Sequence, residues 1–300
     1  MEINKLSIVK RRCIDIKRKY IGTSRKTVGR KENRRLNLSL SGKISLGILI
    51  LLLIIGIFAP VLSKYPYNIP SGSALEAPSK VHILGTDDLG IDLWAQICIG
   101  TRISIIVGFG TALLAGVGGG IIGIICGYYG GIVDRVLMRI TDIMIILPDL
   151  PLMIIIGAFF GPSIFNIIIV LSLFSWTTPA RIVRAKVMSV TKEDYIIAAK
   201  SYGGGFFHIT KKHILKDIFP VLMVSIIKLV NKAIIAEASL SFLGLGDPSS
   251  KSWGIILNHA MGFQGIYFTE YWKWWIVSPL VAITITVMSI AFLGREIEKI

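Results

Sequence analysis

The chain has 300 residues, 53% of them hydrophobic, with a mean hydropathy of +0.69 and a formal net charge of +15. Its apolar residues fall in long blocks rather than in the alternation of a water-soluble core, which excludes an ordinary soluble domain and points to an integral membrane protein. The positive charge lies in segments beside those blocks, where anionic lipid is the nearer partner, and this argues against nucleic acid as the reason for it.

Residues 1–43 read as a basic cytoplasmic arm, crowded with Lys10, Arg11, Arg12, Lys17, Arg18, Lys19, Arg34 and Arg35. A first transmembrane helix is predicted over 44–62, Ile44 to Leu62, because the stretch is uncharged, long enough to cross the hydrocarbon and too long for a signal-peptide core. Residues 63–102 follow as an extracytoplasmic loop, rich in Pro, Ser and Gly where it begins. The loop is predicted to end in an interfacial helix opening near Leu89, capped by Asp87 or Asp88, with Trp94 at headgroup level.

The core, 103–293, holds five more predicted spans. Span two, Ile103 to Tyr128, carries glycines four apart (Gly116 and Gly120, Gly119 and Gly123, Gly123 and Gly127), which offer flat patches for close helix approach. Span three, Val136 to Phe160, contains Arg139, Asp142 and Asp149, with Pro148 and Pro151 breaking its backbone ladder. Arg139 and Asp142 stand three apart and are expected to pair; Asp149 is a candidate for lining a polar path. Span four, Ile164 to Trp176, is short, and span five, Pro220 to Leu243, includes Lys228, Lys232 and Glu237, so five spans is the alternative to six. Span six runs from Trp275 to Leu293, leaving 294–300 as a cytoplasmic tail.

Basic residues set the orientation. They crowd the N-terminal arm and residues 177–219, whereas 63–102 and 244–274 are poor in them, so both termini and the 177–219 segment are predicted on the cytoplasmic side. Within that segment Thr191 and Asp194 are spaced for a capping box, a short helix continues through Ala198 and Ala199, and Gly203 ends it. A second helix, about Phe206 to Ile218, is expected to stop at Pro220. The result is a cytoplasmic helix, glycine turn, helix unit suited to docking a partner and passing on rigid-body motion.

Nothing catalytic is visible. A phosphate-binding loop, a zinc-protease helix and a nucleophile elbow are all missing, and His82, His208, His213 and His259 are isolated in sequence. Cys13, Cys98 and Cys126 are too scattered for a disulfide framework or a metal pair.

The segment from Tyr195 to Pro220 resembles the cytoplasmic "E-A-A, three residues, G" loop of permease subunits of binding-protein-dependent ABC importers, with Ala198, Ala199, Gly203 and Pro220 in register and Ile197 where those loops usually carry glutamate. The blocks "HILGTDDLGIDLWAQICIGTRISIIVG", "GYYGGIVDRVLMRITDI", "ARIVRAKVMSV", "KKHIL" (with His213) and "AEASLSFLGLGDPSSKSWG" are similar to the dipeptide, oligopeptide and nickel group, specifically the second of its two membrane subunits. The resemblance implies an all-α, type I importer transmembrane domain with six spans and both ends inside. It further implies a heterodimer with a sister permease, two cytoplasmic ATPase subunits that use ATP and Mg while this chain binds no cofactor, and an extracytoplasmic solute-binding protein. The loop of 193–218 would be the coupling helix seated on an ATPase. Peptide is the first expectation for cargo and nickel the alternative, since no predicted span contains a histidine. A membrane enzyme or an ion-driven transporter with broken helices fits less well, the first for want of a catalytic cluster and the second because it leaves the docking loop unexplained.

Overall fold

The computed structural model describes residues 39–298, and apart from an isolated bridge between Thr86 and Asp92 its regular elements are helical. Four helices are long and apolar enough to cross a membrane: Leu40–Ile57, Leu93–Tyr129, Phe206–Phe242 and Trp272–Glu298. Two pairs meet the same requirement jointly: Gly131–Ile146 with Asp149–Phe160, bent by 93°, and Ile164–Ser175 with Thr177–Val190, bent by 43°. The described residues therefore hold four to six candidate spans. Helices of eight residues or more are numbered α1 Leu40–Ile57, α2 Leu93–Tyr129, α3 Gly131–Ile146, α4 Asp149–Phe160, α5 Ile164–Ser175, α6 Thr177–Val190, α7 Asp194–Ser201, α8 Leu215–Phe242, α9 Trp253–Gly262 and α10 Val277–Glu298. Most of the basic arm, including Cys13, lies outside the described residues.

The central element is α2, and it corrects the sequence reading of what precedes it. No separate interfacial helix forms. Asp87 spends its carboxylate inside the loop, accepting from the amides of Leu89 at 2.9 Å and Ile91 at 2.8 Å and from Gln96 Nε2 at 2.7 Å. The cap is Asp92 instead, accepting from the Ala95 amide at 2.8 Å. One continuous helix of 37 residues results, about 55 Å at 1.5 Å per residue and longer than the hydrocarbon is thick. Leu93 and Ile97, within the stretch predicted as an interfacial helix, are buried in the protein core.

The glycines of α2 explain what packs around it. Gly119, Gly123 and Gly127 face α6, so closely that a Cβ on Gly123 would stand 2.6 Å from the Ala180 carbonyl oxygen and one on Gly127 2.7 Å from Val187 Cβ. Gly116 and Gly120 face α8, meeting Ile226 and Leu222. The overlapping ladders in sequence thus bring two different helices against one. Cys98 and Cys126 are buried free thiols on the same helix.

Residues 177–190, read as the start of a loop, are instead α6, which continues α5 beyond a kink at Trp176. Its face of Val183, Val187 and Val190 is wholly or almost wholly buried, so packing on the glycine ladder extends the helix past where hydropathy alone would stop it. The break expected at Pro148 is present, between α3 and α4, and Pro151 sits in the first turn of α4, where a missing N–H costs nothing. Pro220, expected to end a helix, lies inside α8, in a helical run that begins at Phe206 and passes through a π turn at Thr210–Ile214. There the proline removes only the bond to the carbonyl of Lys216, an exposed residue. The last helix also outruns its prediction, remaining helical through Glu298.

Candidate functional site

α7 is short, with a mixed polar and apolar outer face, and packed against the spans by its inner one. Glu193 is its N-cap residue and makes no side-chain cap bond; the capping box does not form, because the Thr191 hydroxyl donates to the Met188 carbonyl at 3.2 Å. Asp194 still stands in the first turn, where a carboxylate suits the helix dipole. Gly203 ends the element as predicted, at φ +81°, and the amides of Gly203 and Gly204 close on the carbonyls of Lys200 and Ala199 at 3.0 and 2.9 Å.

Ile196 fastens α7 to the spans. It is fully buried in a cluster with Ile124 of α2, Val183 and Val187 of α6, and Ile209, Ile214 and Ile218 from the run leading into α8. Polar contacts add direction. Tyr195 Oη donates to Asp217 Oδ2 at 2.5 Å, Lys200 lies over the Tyr128 ring at 4.6 Å, and Phe206 meets the same ring edge-on at 4.9 Å. His213 is 5.9 Å from Tyr195, ring to ring. The Asp217 carboxylate holds the phenol neutral and pushes its ionisation up to about 12.

Of the residues singled out on this unit, Tyr195 meets His213 and bonds Asp217, Ala199 is half-buried, and Ala198, Gly203 and Pro220 are exposed. Ile197, Tyr202 and Phe207 add apolar surface beside Ala198, at 52%, 92% and 84% exposure. So much exposed apolar area on a small, rigidly held unit suits a protein partner. Asp217 and Tyr128 were not identifiable from sequence, since helical spacing says nothing about partners 22 residues or more apart.

The charged span residues do not form one site. Asp142 pairs with Arg181 of α6 and not with Arg139, which is exposed on α3. Nearby, Arg184 grips Asp134 with two donors, one of them at 2.6 Å. Asp149, at the start of α4, accepts from Lys232 Nζ of α8 at 2.6 Å, and Lys228, one turn earlier on α8, pairs with Glu298. Glu237 lies on the opposite face of α8, fully buried, accepting from Ser104 Oγ at 3.1 Å and Ser241 Oγ at 2.7 Å. These bonds link α2 to α8.

Two histidines isolated in sequence find carboxylates in space. His82 Nδ1 bonds Asp92 Oδ1 at 2.8 Å, both buried, and His259 Nε2 stands 3.6 Å from Asp88 Oδ1, joining the loop to α9. Asp87, Asp88 and His259 bring potential metal-ligand atoms within 4.8 Å of one another, yet both Asp87 oxygens are already taken by N–H donors. The group reads as a clamp on the loop rather than a metal cradle.

Residues 119–297 match the family model described as "binding-protein-dependent transport system inner membrane component". The chain is 35% identical over 253 residues to the oligopeptide transport system permease protein OppC of Bacillus subtilis (strain 168), covering 84% of this chain and 81% of that one. It is 34% identical over 269 residues to the dipeptide transport system permease protein DppC of the same organism, with coverage of 88% and 82%. To the probable D,D-dipeptide transport system permease protein DdpC of Escherichia coli (strain K12) the identity is 32% over 255 residues, 84% of each chain.

Proposed function

The chain belongs to the inner membrane components of binding-protein-dependent transport systems, and on that premise we propose that it is the permease subunit of an ATP-driven importer of di- and oligopeptides. It is a multi-pass membrane protein, and in this reading each bent helix pair is one span, giving six, with both termini cytoplasmic. A sister permease completes the path, an extracytoplasmic binding protein delivers the peptide, and two ATPase subunits bind ATP and Mg. This chain binds no cofactor and hydrolyses nothing.

The observation that carries the reading is the construction of α7. Ile196 and the Tyr195–Asp217 bond join it to helices continuous with two spans, so a push on it is passed to them. An ATPase seated on Ile197, Ala198, Tyr202 and Phe207 would pass its closure into α6 and α8 as rigid-body motion. Ile197 replaces a polar contact with an apolar one. Arg139, exposed on α3, and the partly exposed Asp142 and Asp149 are proposed to face the sister permease or the path, and Glu237, buried between helices, to belong to the internal scaffold.

The printed activities of the relatives favour peptide over nickel. Uptake of labelled dipeptide and of labelled Ni²⁺, side by side in cells with and without the chain, tests this. Loss of dipeptide uptake alone is expected; loss of nickel uptake alone would overturn the choice of cargo.

A further inference from the structure

α8 presents two faces of opposite character. Ile226, Leu229, Val230, Ala233, Ile234 and Glu237 are buried, while Lys228, Lys232 and Ile235, spaced three and four apart, form an exposed stripe. Lys232 is ten residues short of the end of α8 at Phe242, about 15 Å along the axis, or half the thickness of a hydrocarbon layer about 30 Å thick. Its partner Asp149 opens α4, whose eleven further residues to Phe160 cover about the same distance. In the six-span reading, with Phe242 and Phe160 both toward the outer surface, the pair lies within the hydrocarbon layer, and the 93° bend after α3 leaves the first amides of α4 without helical acceptors.

Both side chains of this pair remain open, Lys232 by 49% and Asp149 by 33%. Half-exposed charges at that depth are costly against lipid tails, so they require water, another protein or a ligand. We infer that Lys232 and Asp149 form a binding site for the two charged ends of a short peptide in transit, the ammonium of Lys232 taking the α-carboxylate and the carboxylate of Asp149 taking the α-ammonium. This rests on the peptide reading above and adds to it the atoms that recognise the substrate.

The geometry makes the empty and loaded states exclusive. In the structure the charges neutralise each other at 2.6 Å. The ends of an extended dipeptide are about 7 Å apart, so it cannot bridge both groups without opening the pair. Lys232 can withdraw on its flexible stem, which frees both charges for the two ends of the peptide. The site is self-neutralised when empty and neutralised by the zwitterion when loaded.

The test is initial-rate uptake of radiolabelled dialanine by cells carrying the complete transporter, with assembly checked by co-purification of its subunits. If the wild type takes up no dialanine, the peptide reading itself fails. If it does, Lys232→Met and Asp149→Asn should each lower uptake about tenfold or more, the loss of one charge-assisted contact, and the double variant should be no better than either. A purely structural ion pair predicts the reverse: the double variant recovers, because neither charge is left unpaired, and that recovery would overturn the inference. Single variants within about twofold of wild type would overturn it too. Should Lys232→Met not assemble, Lys232→Cys supplies the second measurement. Aminoethylation of the thiol by a water-soluble reagent should restore uptake, and an assembled, modified but inactive protein would contradict the site.

Discussion

The Tyr195 hydroxyl donates to the Asp217 carboxylate at 2.5 Å, closing the turn between α7 and α8 with a bond that joins the exposed unit to a span. Because ionising the phenol beside a carboxylate is unfavourable, its pKa rises from the ordinary 10 to about 12. A raised value means that the contribution of the bond is fully present below pH 10 and is lost as pH climbs through 12. In an alkaline absorbance titration Asp217→Asn should move one tyrosine back toward its ordinary value; an unchanged titration would show that Asp217 is not the cause. Tyr195→Phe should leave membrane insertion intact and weaken co-purification with the ATPases.

Gly203 is held at φ +81° with open space around the missing Cβ, so any penalty for a side chain there is purely conformational. Gly203→Val should cost about 1–2 kcal/mol locally and shift α7 relative to its anchors. Normal insertion with reduced ATPase co-purification is the expected outcome, and wild-type co-purification would speak against a coupling role for this turn.

The glycines of α2 offer an internally controlled experiment. A Cβ at Gly123 would stand 2.6 Å from the Ala180 carbonyl, whereas one at Gly118 meets nothing within 4 Å. Gly123→Val should destabilise the protein by about 1–3 kcal/mol or more, since backbone cannot move aside as a side chain can. Gly118→Val should change little. Thermal unfolding of the purified complex in detergent compares the two, and equal losses would contradict the packing assigned to this face.

Glu237, enclosed with Ser104 and Ser241, is predicted to matter for stability and not for passage of the substrate. Glu237→Gln keeps an acceptor oxygen and should be tolerated. Glu237→Ala leaves a cavity and two hydroxyls to find new partners, at a cost of about 2–4 kcal/mol, visible as a lower melting temperature.

Much of this was legible in the sequence, for reasons of range. The uncharged block after Lys43, the glycines of α2, the break at Pro148 and the stop at Gly203 are each written in residues a few positions apart, where helical periodicity and backbone preference decide the outcome. The extension of α6 and the early start of α2 were hidden because tertiary packing, not hydropathy, sets those ends. The pairings were hidden for the same reason. Arg139 and Asp142 satisfy the local spacing rule, yet Asp142 turns to Arg181, 39 positions on, and Asp149 reaches Lys232 across 83. Which charges meet depends on which helices pack, and that is fixed by the glycine faces of α2.

The central claim is that this chain forms part of a path through which ATP hydrolysis drives peptide inward. Its most direct test is accumulation of a labelled dipeptide in proteoliposomes containing this chain, its sister permease, the two ATPases and the binding protein. The account predicts accumulation against a gradient that requires both ATP and this chain, and that falls when Gly203→Val replaces the wild type. Accumulation that proceeds without ATP, or equally well without this chain, would contradict it.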